Sequence, residues 1–179
     1  SNLPDEALVY INADILVSKN FSHINTYLNL RFPDGWLAVA RRRELDLAVN
    51  TKLSDVVVTD LANDIKTPLN GRHTAIDFFA YPSKLHSRLS VPGKFLVGRP
   101  GWDNWLLAKA RKGNIPVVDV TSIYSIRHIT HPFTHKKGAY SFLIYLYKSY
   151  GLSSFCDLRD CTHSLMSSNG KLKANLNTY

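Results

Sequence analysis

The chain has 179 residues, 45% of them hydrophobic and 20% charged. That is enough for one domain with a buried core and is the balance of an ordinary globular protein; no apolar run is long enough to span a membrane. The formal net charge of +8, from 22 basic and 14 acidic residues, favours anionic partners such as nucleotides and phosphorylated sugars.

The basic residues form only two tight runs, Arg41-Arg42-Arg43 and Lys136-Lys137. No zinc-finger, RRM or KH signature accompanies them, which argues against a nucleic-acid groove. Cys156 and Cys161 lack the spacing and partners of a metal knuckle and read as two thiols rather than a disulfide. An Asn-x-Ser sequon at Asn20 is too short a motif to assign a compartment. The expectation is a soluble chain, with the cytoplasm favoured over the secretory lumen.

In chain order, strand and helix signals alternate, the pattern of an α/β fold in one domain spanning residues 1–179. Residues 7–12 (ALVYIN) form an apolar strand ending in Ala13-Asp14. Phe21, Ile24, Tyr27 and Leu28 recur at helical spacing over residues 21–31. Pro33-Asp34-Gly35 is a turn, and residues 36–40 (WLAVA) form a second strand leading into three arginines. A helix is expected over residues 54–66, and a third strand over residues 76–81 (IDFFAY) is followed by a short helix at 83–89.

Pro100 and Gly101 then introduce a helix in which Trp102, Trp105, Leu106 and Ala110 share a face and Gly113 is the stop. Strands are expected at 115–120 and 123–129, a packed aromatic helix at 140–150, and one more short helix at 160–166.

Several polar groups fall at element ends. Asn12 and Asp14 follow a strand, where open α/β sheets place ligands. Their oxygens suit a hard divalent cation, and equally suit a turn in which both cap backbone amides. Asp77 lies in an aromatic strand, where a carboxylate is costly unless exposed, paired or functional. His128 and His131 flank a strand end and can meet a cation or a phosphate, or be ordinary histidines. Arg41 and Arg99 carry guanidinium forks that match phosphate oxygens, or are solvated. Asp103, one step from Trp102 at a helix start, is either a cap or a carboxylate aimed into a cleft.

Taken in order, the stretches YINADILV, WLAVARRRELDL, AIDFFAYPSKL, FLVGRPGWDNWLLAKARKGNIPVVDVT and IRHITHPFTH, with the tail LRDCTHSLMSSNGKLKAN, resemble the nucleotide-diphospho-sugar transferases of the GT-A type. The likeness runs from about residue 10 to residue 175, and Gly-x-x-Gly-Trp-Asp-Asn-Trp is its most specific part. The resemblance implies a GT-A-like, Rossmann-like mixed central sheet flanked by helices. It implies transfer of a sugar from a nucleotide diphosphate to a hydroxyl of a glycan or other acceptor, with inversion and with Mn²⁺ or Mg²⁺.

In that likeness the family's Asp-x-Asp metal motif falls on Asn12 and Asp14, with Asn in place of the first acid. His128 or His131 joins the metal or diphosphate, and Asp103 takes the acceptor's proton. Trp102 lines the sugar site while Trp105 packs inward. Arg41, Asp77, Arg99 and Asn104 contact donor or acceptor.

The family's metal motif follows an N-terminal nucleotide-binding half, whereas here it begins at residue 12. The chain is therefore expected to be truncated at its N-terminus relative to the family: a piece of a longer protein, a short relative completed by a partner subunit, or a non-catalytic glycan- or protein-binding module on the same fold. A basic nucleic-acid-associated protein or a metal-dependent phosphodiesterase is a third class, for which no nuclease motif is present.

Overall fold

A computed structural model describes residues 6–18, 21–45, 72–90, 101–130, 148 and 156–177. The expected helix at 54–66, the aromatic helix at 140–150 (apart from residue 148), the sequon's Asn20, Arg99 and His131 lie outside these residues. The described chain is a mixed α/β fold.

Its strands are β1 (Ala7–Ile11), β2 (Ile15–Val17), β3 (Leu37–Arg41), β4 (Arg43–Leu45), β5 (Ile76–Pro82), β6 (Val117–Asp119), β7 (Ile126–Ile129), β8 (His163–Ser168) and β9 (Lys171–Leu176). Its helices are α1 (Phe21–Arg31), α2 (His86–Leu89) and α3 (Trp102–Lys112), with 3-10 turns at Ser83–Leu85 and Leu158–Asp160. Six strands form one sheet in the order β1-β5-β3-β6-β8-β9, and β2-β7-β4 form a second, smaller one.

In the large sheet β5 runs antiparallel between β1 and β3, β3, β6 and β8 are parallel, and β9 returns antiparallel to β8. The carboxyl ends of β1, β3, β6 and β8 therefore meet the start of β5 along one edge.

Alternation of side chains along the central strands separates two cores. Leu37, Val39, Phe79, Tyr81 and Val117 pack with Leu85, Leu89, Trp105 and Leu106 beneath α2 and α3. Ala38, Ala40, Phe78, Ala80 and Val118 pack on the other face with Ile24 and Leu28 of α1, Trp36 and Ile126. All seven residues of β5 are buried, as expected of a strand covered on both faces.

α1 buries Ile24 and Leu28, one turn apart, on the side that meets the sheet. Its exit is fixed by Gly35 at φ +122°, where a Cβ would lie 2.6 Å from Leu85 Cδ1, so both the turn and the packing require glycine.

Three boundaries differ from expectation. The strands at 115–120 and 123–129 are shorter, because 121–124 are drawn into turns held by Ile123 and Tyr124 N–H groups donating to the Val120 carbonyl. The short strands β2 and β4 carry too few residues to show a period of their own. The expected helix at 160–166 is instead strand β8: Asn169 (φ 50°) and Gly170 (φ 73°) turn the chain back, and six residues of β8 pair with six of β9. Two consecutive positive φ values are the signature of a two-residue hairpin turn. Cys156 and Cys161 are both free thiols. Among the described residues, no helix is long and apolar enough to cross a membrane.

Candidate functional site

Polar side chains converge where the parallel strands end. Asn12 follows β1, Arg42 follows β3, Asp77 begins β5, and the small sheet supplies Glu44 and His128. Asp77 is 7% exposed and His128 3%. Asn12 Nδ2 donates to Asp77 Oδ1 at 2.9 Å, and Arg42 donates to Asp77 Oδ2 at 2.8 Å and to Glu44 Oε1 at 2.8 Å.

His128 continues the chain of contacts: its Nδ1 lies 2.7 Å from Glu44 Oε2 and its Nε2 3.2 Å from Asp14 Oδ2. Strand register explains this. Glu44 and His128 are neighbours across the parallel β4–β7 pair, and Ile15, next to Asp14, faces His128 across the antiparallel β2–β7 pair.

The two ionised ends of this network differ. Asp77 is held above the ordinary carboxylate range: burial pushes it up and nearby Asp14 adds to the push, against the opposing pull of Arg42. Burial also raises Glu44, but hydrogen bonds from His128 and Arg42 outweigh it and leave Glu44 below the ordinary range. Removing one partner from such a desolvated pair leaves an uncompensated charge.

Asp103 enters the same region from the start of α3, whose cap is Gly101 at φ 97°. Part of the residue stays accessible, but the carboxyl itself is sunk among protein atoms. Burial raises its pKa from 3.8 to about 6; the Asn104 N–H, donating to Oδ1 at 2.8 Å, pulls it down, and Asp77 pushes it further up. Asp77 thus feels Asp14, and Asp103 feels Asp77, three acids taken from distant parts of the sequence.

Other expected residues have different surroundings. The resemblance has Trp102 lining a sugar site, but Trp102 is 3% exposed and packs its ring on Phe79, centroids 4.9 Å apart. Both tryptophans therefore pack inward. The Asn104 amide donates to the Cys156 carbonyl at 2.6 Å and ties α3 to the following segment. Arg41 donates its backbone N–H to Thr121 Oγ1 at 3.0 Å, and its charge opposes the burial that raises Asp119.

The guanidinium that reaches Asp77 belongs to Arg42. The register of β3 against β5 shifts between Ala40 and Arg41, and a bulge of this kind re-aims the following side chains. Arg42 and Glu44 do not stand out as partners in the sequence; the short alternation Arg42, Glu44 before a strand end is the available signal. Asp119 is a further missed acid. It ends β6 on the same edge and accepts hydrogen bonds from the Thr121 N–H, at 2.8 Å, and from the Thr121 hydroxyl.

For a divalent cation, the donor chemistry at Asn12 and Asp14 fits. Asn12 Oδ1 is buried and accepts no hydrogen bond, and carboxylate and amide oxygens are hard donors of the kind Mg²⁺ and Mn²⁺ take. Among the described residues, no group of three or more His, Cys, Asp or Glu side chains is disposed to hold a metal. The chain would thus offer two oxygen donors and leave other positions to water and a ligand's oxygens. In comparisons with protein-family models, curated proteins and solved structures, no match to this chain was found.

Proposed function

We propose that this chain is a glycosyltransferase of the GT-A type, or the acceptor-side part of one, moving a sugar from a nucleotide diphosphate to a hydroxyl. The observation that carries the reading is the convergence of Asn12, Asp14, Asp77 and Asp103 at the carboxyl edge of the sheet, the place where α/β sheets bind ligands. An antiparallel strand inserted between parallel ones beside that edge supports it as well.

In this reading Asp14 and Asn12 Oδ1 would hold Mn²⁺ or Mg²⁺, which would supply positive charge beside the leaving diphosphate. Asp103 accepts the proton of the acceptor hydroxyl. The hydroxyl oxygen then bonds to the sugar's anomeric carbon as the bond to the diphosphate breaks, with inversion. A carboxyl with a pKa of about 6 is ionised near neutral pH and more basic than an ordinary aspartate, which suits it to that task. Arg42 holds Asp77 in place, and Asp77 orients Asn12 through its side-chain amide.

The test is calorimetric titration of the chain with UDP and GDP, with and without Mn²⁺. Cation-dependent binding that Asp14→Ala abolishes is expected. Asp103→Asn should keep that binding and lose sugar transfer. Absence of nucleotide binding under every condition overturns a donor site in this chain and leaves only the acceptor-side part or a non-catalytic module.

A second reading, a non-catalytic module that binds glycan or protein, is favoured by one feature. Arg42 is engaged by Asp77 and Glu44, and His128 by Glu44 and Asp14, so the guanidinium is neutralised and the imidazole occupied within the chain rather than offered to a diphosphate. Glycan binding that needs no cation and is indifferent to Asp103→Asn would decide for it.

A further inference from the structure

Toward the opposite end of α3, whose last residue Lys112 lies about 13 Å along the helix from Asp103 at 1.5 Å per residue, a cleft of about 480 Å³ opens between α2 and α3. That volume lies within the range of small-molecule sites. Arg88, Lys109 and Lys112 line it together with Trp105 and Ile115, and among the described residues no acidic side chain lines it. Lys109 and Lys112 are three residues apart, so they share a helix face; Arg88 comes from α2 across the gap.

Ordinary helix-end chemistry accounts for only part of this charge. The carboxyl end of a helix carries about half an elementary negative charge, and Arg88 already meets it by donating to the Gly113 carbonyl at 3.0 Å. Lys109 lies in the last turn, but its ammonium turns back to 4.8 Å from the centroid of the Trp105 ring, four residues earlier. Burial lowers its pKa, and among the described residues no carboxylate contributes in the other direction. The cleft thus gathers positive side chains from two helices over an apolar floor made of their aliphatic stems and the largely covered edges of Trp105 and Ile115.

We propose that this cleft is a second binding site, which takes a phosphate monoester carried on a small apolar or aromatic body. A monoester brings up to two negative charges and three acceptor oxygens, a closer match to a cluster of cations than a single carboxylate. The apolar floor receives the body of the ligand. The site uses none of the residues at the carboxylate cluster, so it stands or falls independently of the transferase reading.

Phenyl phosphate is the probe, titrated at fixed ionic strength and followed by calorimetry and tryptophan emission, with phenol and inorganic phosphate run in parallel. Saturable binding of phenyl phosphate is expected, with inorganic phosphate weaker and phenol weakest. Lys109→Met and Arg88→Gln should each weaken it roughly tenfold, the cost of one charge-assisted contact. Both positions are partly or fully exposed, and an unchanged thermal melt confirms that each variant is folded. Asp14→Ala should bind phenyl phosphate like the parent chain.

No saturation by phenyl phosphate, equal binding of phenol, or full affinity in both cleft variants would overturn the proposal. So would loss of binding in Asp14→Ala with none in Lys109→Met, which would place the phosphate at the carboxylate cluster instead.

Discussion

The two ends of α3 carry the charges that a helix dipole favours, Asp103 in the first turn and Lys109 in the last. Yet each is pushed toward its neutral form. Burial raises the Asp103 carboxyl to about 6 in spite of the Asn104 N–H beside it, and burial lowers the Lys109 ammonium, which lies over the Trp105 ring. Desolvation therefore outweighs the backbone N–H groups beside Asp103 and is the one cause acting on Lys109 among the described residues. The ends differ in company: Asp103 has Asp77 pushing it further up, whereas Lys109 has an aromatic ring and, among the described residues, no carboxylate drawing it back.

The comparison is broken most completely by loosening the helix itself. Trp105 is 1% exposed in the core beneath α3, and Trp105→Ala should cost about 3–5 kcal/mol, seen as a lower urea midpoint and a return of both terminal groups toward their ordinary proton affinities. Next comes Asp103→Asn, which keeps the oxygen that accepts from the Asn104 N–H and removes the charge. A carboxyl whose pKa rises on folding binds more protons folded than unfolded between the two values. Parent stability contributed by this group therefore falls as pH rises from about 4 through about 6. The variant should be more stable than the parent by about 1–3 kcal/mol at pH 8, since each tenfold change in proton affinity on folding is worth about 1.4 kcal/mol, with the gain fading near pH 4. Paired denaturant titrations at the two pH values check it.

Gly101→Ala should cost about 1 kcal/mol, because the cap sits at φ 97° and a side chain there is strained; a lower melting temperature reads it out. Lys109→Met is the smallest change: loss of the cation–π contact and relief of a desolvated charge offset each other, leaving unfolding free energy within about 0.5 kcal/mol of the parent. A larger effect would mean that Lys109 has a stabilising partner.

Most of the framework was legible because local pattern and tertiary packing agree. The apolar positions of α1 predict its limits, residues 21–31, as observed. β5 was readable as IDFFAY for the same reason. Residues 160–166 read as a helix because Asp160, Leu165 and Met166 allow one in a short window, while the deciding signal was the following Asn169-Gly170, which commits the flanking residues to a hairpin.

At the site, Asn12, Asp14, Asp77, Asp103 and His128 could be picked out because acids and histidines at element ends stand out against an apolar chain. The role of Arg42 could not, since it depends on a register shift between β3 and β5, and such a shift exchanges which arginine meets the carboxylate. Trp102 was misplaced for a related reason: its position at the helix start left open whether the ring turned toward Phe79 or toward a cleft.

The two thiols have a practical consequence. They are the only cysteines in the sequence; burial raises Cys156 to about 11 and Cys161 higher still. Since the thiolate is the reactive species, both should be sluggish toward maleimides at neutral pH. A single cysteine introduced at an exposed position such as Ser87, on the rim of the α2–α3 cleft, would then take up a fluorophore ahead of the native pair, without removing either one.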